Sequence, residues 1–255
     1  MSEPLFVTRD GPILTITLDR PDRRNPLSLE TIRALHGALH DDAAHVIVIA
    51  STGSAFSAGH DLREMRERDA EFYDELFRAC GELMMAIHRT PQPVIAQVQG
   101  VATAAGCQLV AGCDLAVASE TATFATPGVR VGLFCTTPMV EVARAVGRKR
   151  AMQMLLTGDP IDAHTAVAWG LVNEVVPAAE LAAATTDLAT RIATASPMVL
   201  ATGKRACHAN LDLDLDDAYA HAGEVMARSS ETADAQEGFA AFIEKRSAVW
   251  TGRSA

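Results

Sequence analysis

Apolar positions along this 255-residue chain change period repeatedly, and each change marks an element. Residues 4–19, PLFVTRDGPILTITLD, alternate apolar and polar positions on either side of Asp10-Gly11, which predicts a β-hairpin. Ser28 then precedes LETIRALHGALHDD, where Leu29, Ile32, Leu35 and Leu39 recur at helical spacing behind a capping side chain. HVIVIAS (45–51), PVIAQVQG (93–100), DLAVAS (114–119) and LVNEVV (171–176) read as strands. The first is so uniformly apolar that both its faces are expected to be covered. Helical runs fill the intervals, so the class is α/β. From about residue 177 the strands stop, and four helical segments follow, the second opened by Pro197. The pattern predicts a core over 1–195 and a helical region over 196–255, a layer of the kind that meets another subunit.

Composition narrows the classes that remain. A hydrophobic content of 49% and a mean hydropathy of +0.11 suit one large buried core. The formal charge of −10 opposes nucleic acid as a partner. Cysteines 80, 107, 113, 135 and 207 form no CxxC and no cluster with histidine, which predicts free thiols and no metal site. The opening MSEPLFVTRDGP has acid and proline where a signal peptide needs a basic start and an apolar run. The longer apolar stretches are broken by charge or glycine, so the expectation is a cytoplasmic protein without a membrane partner.

Two strand-to-helix junctions carry the candidate chemistry. In VIVIASTGSAFSAGHDLREM a strand runs through a small-residue loop into Gly59-His60-Asp61, which opens a short helix. In PVIAQVQGVATAAGCQLV a strand ends at Gly100, and a small-residue segment enters a helix near Ala104. The first N–H groups of a helix have no intrahelical partner, and Gly or Ala leaves them open to a ligand. Two such donors aimed at one point make an oxyanion hole, each contributing about 3 kcal/mol to a developing enolate. The same small residues also suit plain close packing of helices.

In order and spacing, LDRPDRRNPLS, FSAGHDLREM, PVIAQVQGVATAAGCQLVAGCDLAVAS, FATPGVRVGL, LTGDPIDAHTAVAWGLVNEVVP and QEGFAAFIEKR resemble the crotonase, or enoyl-CoA hydratase/isomerase, superfamily. The resemblance implies a spiral of ββα units, a C-terminal helical region that assembles a homotrimer or hexamer, and a site for an acyl-CoA thioester. Coenzyme A then enters as part of the substrate, with no separate cofactor. By the same resemblance, the backbone N–H groups of His60 and Ala105 are the oxyanion donors. Ala58, Asp61 and Leu62 belong to the substrate segment, and Arg24, Phe242 and Lys245 are candidates for the coenzyme A end.

The family's hydratases place glutamates where Gln108 and Gly128 stand, and water addition needs one group to take a proton and another to give one. An amide exchanges no proton near neutral pH and glycine has no side chain, so ordinary hydration is not expected. The reading is a protein of acyl-CoA or fatty-acid metabolism that stabilises a thioester enolate, with Gln108 orienting substrate or water. FSAGHDL is similar to the methylmalonyl-CoA decarboxylase branch, whose reaction forms an enolate without a base, although Cys135 stands where that branch has tyrosine. ATAAGCQLVA with FATPGVRVGLFCTTP resembles the third of the animal proteins called enoyl-CoA hydratase domain-containing. The alternatives are a non-catalytic acyl-CoA carrier or regulator and a malonyl-type decarboxylase. Glu141, the nearest carboxylate after Gly128, is expected to be a solvated acid in a helical first turn. Arg63 and Arg66 are expected surface charges, and the other histidines show no metal-ligand spacing.

Overall fold

The structure, a computed structural model, describes residues 3–252. Ten strands run β1 (Leu5–Asp10), β2 (Ile13–Leu18), β3 (Val46–Ser51), β4 (Ala55–Ser57), β5 (Val94–Val98), β6 (Val101–Thr103), β7 (Leu115–Ser119), β8 (Thr123–Ala125), β9 (Ile161–Asp162) and β10 (Glu174–Val176). Through the core the helices are α1 (Leu29–Ala38), α2 (Leu62–Met65), α3 (Ala70–Arg89), α4 (Ala105–Gly112), α5 (Thr136–Val146), α6 (Arg148–Thr157), α7 (Ala163–Trp169) and α8 (Leu181–Ala193). They end with α9 (Pro197–Asn210), α10 (Leu215–Ser230) and α11 (Ala233–Glu244).

The strands form two sheets. A six-stranded sheet has the order β1-β2-β3-β5-β7-β10, antiparallel only at the β1–β2 hairpin. The smaller sheet has the order β4-β6-β8-β9. Each of β3, β5 and β7 passes within a few residues to β4, β6 and β8 in the second sheet, and the chain then enters a helix. This ββα step recurs three times and stacks the strand-to-helix junctions side by side. Of the four small-sheet strands, β4, β6 and β8 are three residues long and β9 two, too short for a period of two to show in the sequence.

Burial explains the apolar run of β3. Ile47 and Ile49 face the main core, while Val46 and Val48 join Ile13, Ile95 and Val117 on the other face, under Leu181 and Ala189 of α8. Both faces are covered, each buried aliphatic side chain contributing about 1.5–3 kcal/mol. Other expected elements are shortened. The run 93–100 ends as a strand at Val98, because Gly100 lies so close to Ser54 that a Cβ would meet its carbonyl oxygen. LVNEVV forms a strand only over Glu174–Val176, and the helical stretch after Asp61 breaks between Met65 and Ala70.

The loop before α1 holds the first junction in place. Arg24 and Asn25 have φ of 61° and 51°, left-handed backbone that asparagine tolerates better than most residues. Asn25 is buried and its Nδ2 donates to the carbonyls of Thr52 and Ala55, each at 2.8 Å, while its Oδ1 accepts from the Arg20 N–H at 2.8 Å. Its carbonyl accepts from Ser57 Oγ at 2.8 Å.

In the single chain α9 and α10 bury no residue, and Leu215, Tyr219, Met226, Phe242 and Ile243 stand exposed along the C-terminal helices. Asn25→Ala is expected to lower stability by about 2–4 kcal/mol, since three backbone groups each lose a hydrogen bond and alanine fits the left-handed backbone poorly. A denaturant melt of wild type and variant measures the loss, and a difference below about 1 kcal/mol would contradict this account.

Candidate functional site

The two junctions meet at Gly59. Its φ is +83°, and a Cβ there would lie 2.8 Å from the Thr103 carbonyl oxygen, 2.9 Å from Ala104 Cβ and 3.1 Å from the Ala105 nitrogen. Only a residue without a side chain lets the segments approach so closely. The Gly59 N–H donates to Ser57 Oγ at 3.2 Å, the Ala58 N–H to the Arg24 carbonyl at 2.9 Å, and Thr103 Oγ1 to the Ala58 carbonyl at 3.1 Å. Ala104, at the N-cap of α4, has φ 50° and ψ −118°. That conformation costs a non-glycine residue on the order of 1–3 kcal/mol. It persists because the Ala104 N–H bonds the Ala125 carbonyl at 2.9 Å and its own carbonyl accepts from the Gln108 N–H at 3.0 Å. The turn makes Ala105 the first residue of α4, with its N–H at the positive end of the helix.

His60 and Ala105 both line a cavity of about 240 Å³. Its walls include Met65, Phe77, Leu133 and Phe134, with Ala58 and Leu62 from the first junction and Gly128 and Cys135 from the far side. Among the described residues no carboxylate lines it, and Arg130 is its one cationic side chain. Arg130 is engaged at its outer end by Asp159 and by the Thr157 carbonyl.

The His60 ring is oriented from two sides. Its Nδ1 lies 3.2 Å from the Leu27 carbonyl, and the ring meets Phe77 edge to face with centroids 5.4 Å apart. A carbonyl only accepts, so Nδ1 carries the proton. Burial holds the ring's pKa below the ordinary histidine value, against the raising effect of that hydrogen bond. The imidazole is therefore neutral near neutral pH, and Nε2 is a bare lone pair. Burial likewise pushes the Cys135 thiol up, opposed by the Gly128 N–H, which donates to its sulfur at 3.3 Å. Cys135 is a packed thiol rather than a thiolate.

Other sequence candidates stand further back. Gln108 is buried one turn into α4, outside the cavity wall, with its Oε1 3.8 Å from the Cys80 sulfur. Asp61 is buried as the cap of α2, accepting from the Arg63 N–H at 3.0 Å and pairing with Arg23 at 2.5 Å. Arg24 stays exposed beside Ala58. Phe242 is 86% exposed on α11, and neither it nor Lys245 lines the cavity. Glu141 corrects the expectation of a solvated acid: it is buried on α5, with Oε2 3.1 Å from His88 Nε2. Thr136 and Thr137 line the cavity beside Cys135, with which the sequence groups them, while Arg130 joins the lining without having been singled out in the sequence. Arg130 follows Gly128 in FATPGVRVGL, which was the available signal.

Gly128 is closed by its own loop. A Cβ there would lie 2.0 Å from the Leu133 carbonyl oxygen and 2.7 Å from Cys135 Sγ. The family model described as Enoyl-CoA hydratase/isomerase matches residues 8–253. The chain belongs to that family. It is 46% identical to the rat enoyl-CoA hydratase domain-containing protein 3, mitochondrial, over 98% of this chain and 86% of the relative. It is 33% identical to the 2,3-dehydroadipyl-CoA hydratase of Escherichia coli K12, over 99% of this chain and all of that one. The crystal structure of human enoyl-CoA hydratase domain-containing protein 3 superposes with a TM-score of 0.95 at 45% identity, covering 97% of this chain and 100% of that one. The fold is accordingly the crotonase spiral with C-terminal helices, as the motifs implied.

The cytoplasmic expectation does not stand, because the animal relatives sharing nearly half their residues with this chain are named mitochondrial. Among the described residues no helix is long and apolar enough to cross a membrane, and no group of three or more His, Cys, Asp or Glu is placed to hold a metal.

Two outcomes follow from this geometry. Gly128→Glu is expected to destabilise the protein by about 2–4 kcal/mol, by overpacking against backbone. Thermal melts report the loss, and a variant as stable as wild type would show that the loop yields freely. His60 makes stability pH-dependent on the acid side. As pH falls through the ordinary histidine value, the unfolded chain takes up a proton that the folded ring refuses, so stability falls. Denaturation midpoints in His60→Gln are expected to decline less steeply there than in wild type, and identical slopes would remove His60 from the account.

Proposed function

We propose that this protein binds a coenzyme A thioester of acyl-CoA metabolism, with the thioester oxygen held by the N–H groups of His60 and Ala105, and stabilises its enolate without carboxylate acid–base chemistry. The observation that carries the reading is a cavity lined by both His60 and Ala105 and, among the described residues, by no carboxylate. Membership in the enoyl-CoA hydratase/isomerase family and likeness to a named acyl-CoA hydratase support the thioester as ligand. Both positions where hydratases carry glutamate lack an acid here, and the closed loop at Gly128 leaves no room for one. An enolate can form without a base when a malonyl-type thioester loses CO2, since the electrons of the breaking C–C bond enter the thioester and only the oxygen needs stabilising. The exposed apolar residues of α10 and α11 support assembly of the chain into a homo-oligomer, a trimer or hexamer by analogy with the family.

The test pairs binding with turnover. Butyryl-CoA is expected to bind in an equilibrium titration, while crotonyl-CoA shows no hydration above the uncatalysed rate. Mass spectrometry of an acyl-CoA panel that includes malonyl-type thioesters identifies any product. Hydration at the rate of an ordinary hydratase would overturn the reading. Tight binding with no product from any thioester would favour a non-catalytic carrier.

A further inference from the structure

Behind the cavity, a cluster of ionisable side chains joins three helices. Glu141 is buried on α5, and among the described residues its one hydrogen-bond partner is His88 of α3, whose Nε2 lies 3.1 Å from its Oε2. His88 meets His208 of α9 with ring planes at 90° and centroids 4.5 Å apart, and its Nδ1 is 3.2 Å and 3.5 Å from the two His208 nitrogens. A nitrogen almost equidistant from both nitrogens of a perpendicular ring stands over that ring's face. His208 Nε2 reaches Asp114 at 3.3 Å, and Asp114 is paired with Lys204 at 2.6 Å. Two constraints then fix the protons on His88. A carboxylate oxygen only accepts, so Nε2 carries a proton toward Glu141. The face of an aromatic ring is electron-rich, so it repels a lone pair on Nδ1 and attracts an N–H. Charge balance agrees. Lys204 matches Asp114, whereas Glu141 beside a neutral imidazole would be a buried carboxylate without a cation, which is costly. Imidazole is a stronger base than a carboxylate, so the proton of the pair rests on His88.

We infer that His88, held as an imidazolium between Glu141 and the face of His208, is a pH-sensitive brace that ties α3, α5 and α9 together and releases them as pH rises. A neutral His88 has a single N–H and keeps only one of its two contacts. The consequence reaches the candidate site. Phe77 on α3 and Thr136, Thr137 and Pro138 at the start of α5 all stand in the cavity wall, so the brace holds two parts of that wall from behind. The neighbouring groups do not take over its role. Lys204 is committed to Asp114, and the Cys113 thiol is pushed up by burial, with Asp114 and Glu141 adding to the effect and Lys204 opposing it, so it stays uncharged. Arg89, next to His88 on α3, is exposed. Among the described residues α10, which also packs on α9, brings no ionisable group within bonding distance of the cluster. The folded chain keeps on His88 a proton that the unfolded chain gives up as pH rises through the ordinary histidine value. This contribution to stability is therefore complete on the acid side of that value and is lost as pH rises, the opposite sign to His60.

The experiment reads the proton directly. Histidine ¹⁵N resonances of the full chain are followed as pH is raised, with the exposed His164 as the internal reference. In wild type both His88 nitrogens are expected to stay protonated after His164 has lost a proton, and in Glu141→Gln that lag is expected to vanish. Denaturant melts of the two proteins give a second reading. The ratio of the wild-type to the variant folding constant is expected to fall by about tenfold from mildly acid to mildly alkaline pH, the linkage of about one unit of displacement. A merely structural pair would give a ratio that does not change with pH. Should Glu141→Gln fail to fold, the wild-type titration decides alone. Loss of the His88 proton together with or before that of His164, or a ratio constant across the range, would overturn the inference and leave the thioester reading untouched, since no ligand enters either measurement.

Discussion

The contact between Gly59 and the Thr103–Ala105 backbone is the constraint on which the site depends. Two segments more than forty residues apart each end a small-sheet strand and enter a helix. They bring His60, just before the cap of α2, and Ala105, the first residue of α4, onto one cavity because no Cβ stands between them. Ser57, Thr103 and Asn25 hold the approach by hydrogen bonds to neighbouring backbone, and the unfavourable Ala104 conformation turns the chain into α4. Strain of this kind survives where surrounding structure over-determines it. Here β8 on one side and the first turn of α4 on the other do so.

The opposite wall of the cavity is formed differently. The loop after β8 folds back so that the Leu133 carbonyl and Cys135 sulfur fill the space beside Gly128. The loop thereby closes the position that could otherwise present an acid, and it leaves a wall of apolar groups and a protonated thiol. Arg130, Thr136 and Thr137 are the polar side chains of that part of the lining, and the low local dielectric strengthens whatever polar contacts a ligand makes there.

Away from the cavity, a second polar system joins the C-terminal helices to the core. Lys204 on α9 donates to the carbonyls of Ile87 and Gln92 at 2.7 and 2.9 Å and pairs with Asp114 at 2.6 Å. His208 Nε2 reaches the other Asp114 oxygen at 3.3 Å, and its Nδ1 lies 3.2 Å from His88 Nδ1, which leads on to Glu141. Every charged member has a partner, as burial requires. Burial draws the Lys204 pKa down while Asp114 draws it up, the competition that decides whether such a pair stays ionised. The network accounts for how α9 docks without burying any residue of its own.

Much of this was legible from local pattern. The β1–β2 hairpin, the doubly covered β3, the capped α1 and the helical end of the chain each follow from a period or a turn that a short window contains. The two junctions also declared themselves, because small residues between a strand and a helix have a local physical meaning. What the sequence could not declare were relations between distant segments. The three-residue strands exist through pairing with one another, the burial of Glu141 comes from His88 across the core, and the retreat of Gln108 behind the wall depends on where α3 packs. The closed space at Gly128 and the orphaned Nε2 of His60 belong to the same class. Both depend on which atoms come within a few ångströms from elsewhere in the chain, a quantity that composition and spacing do not contain and that tertiary packing alone decides.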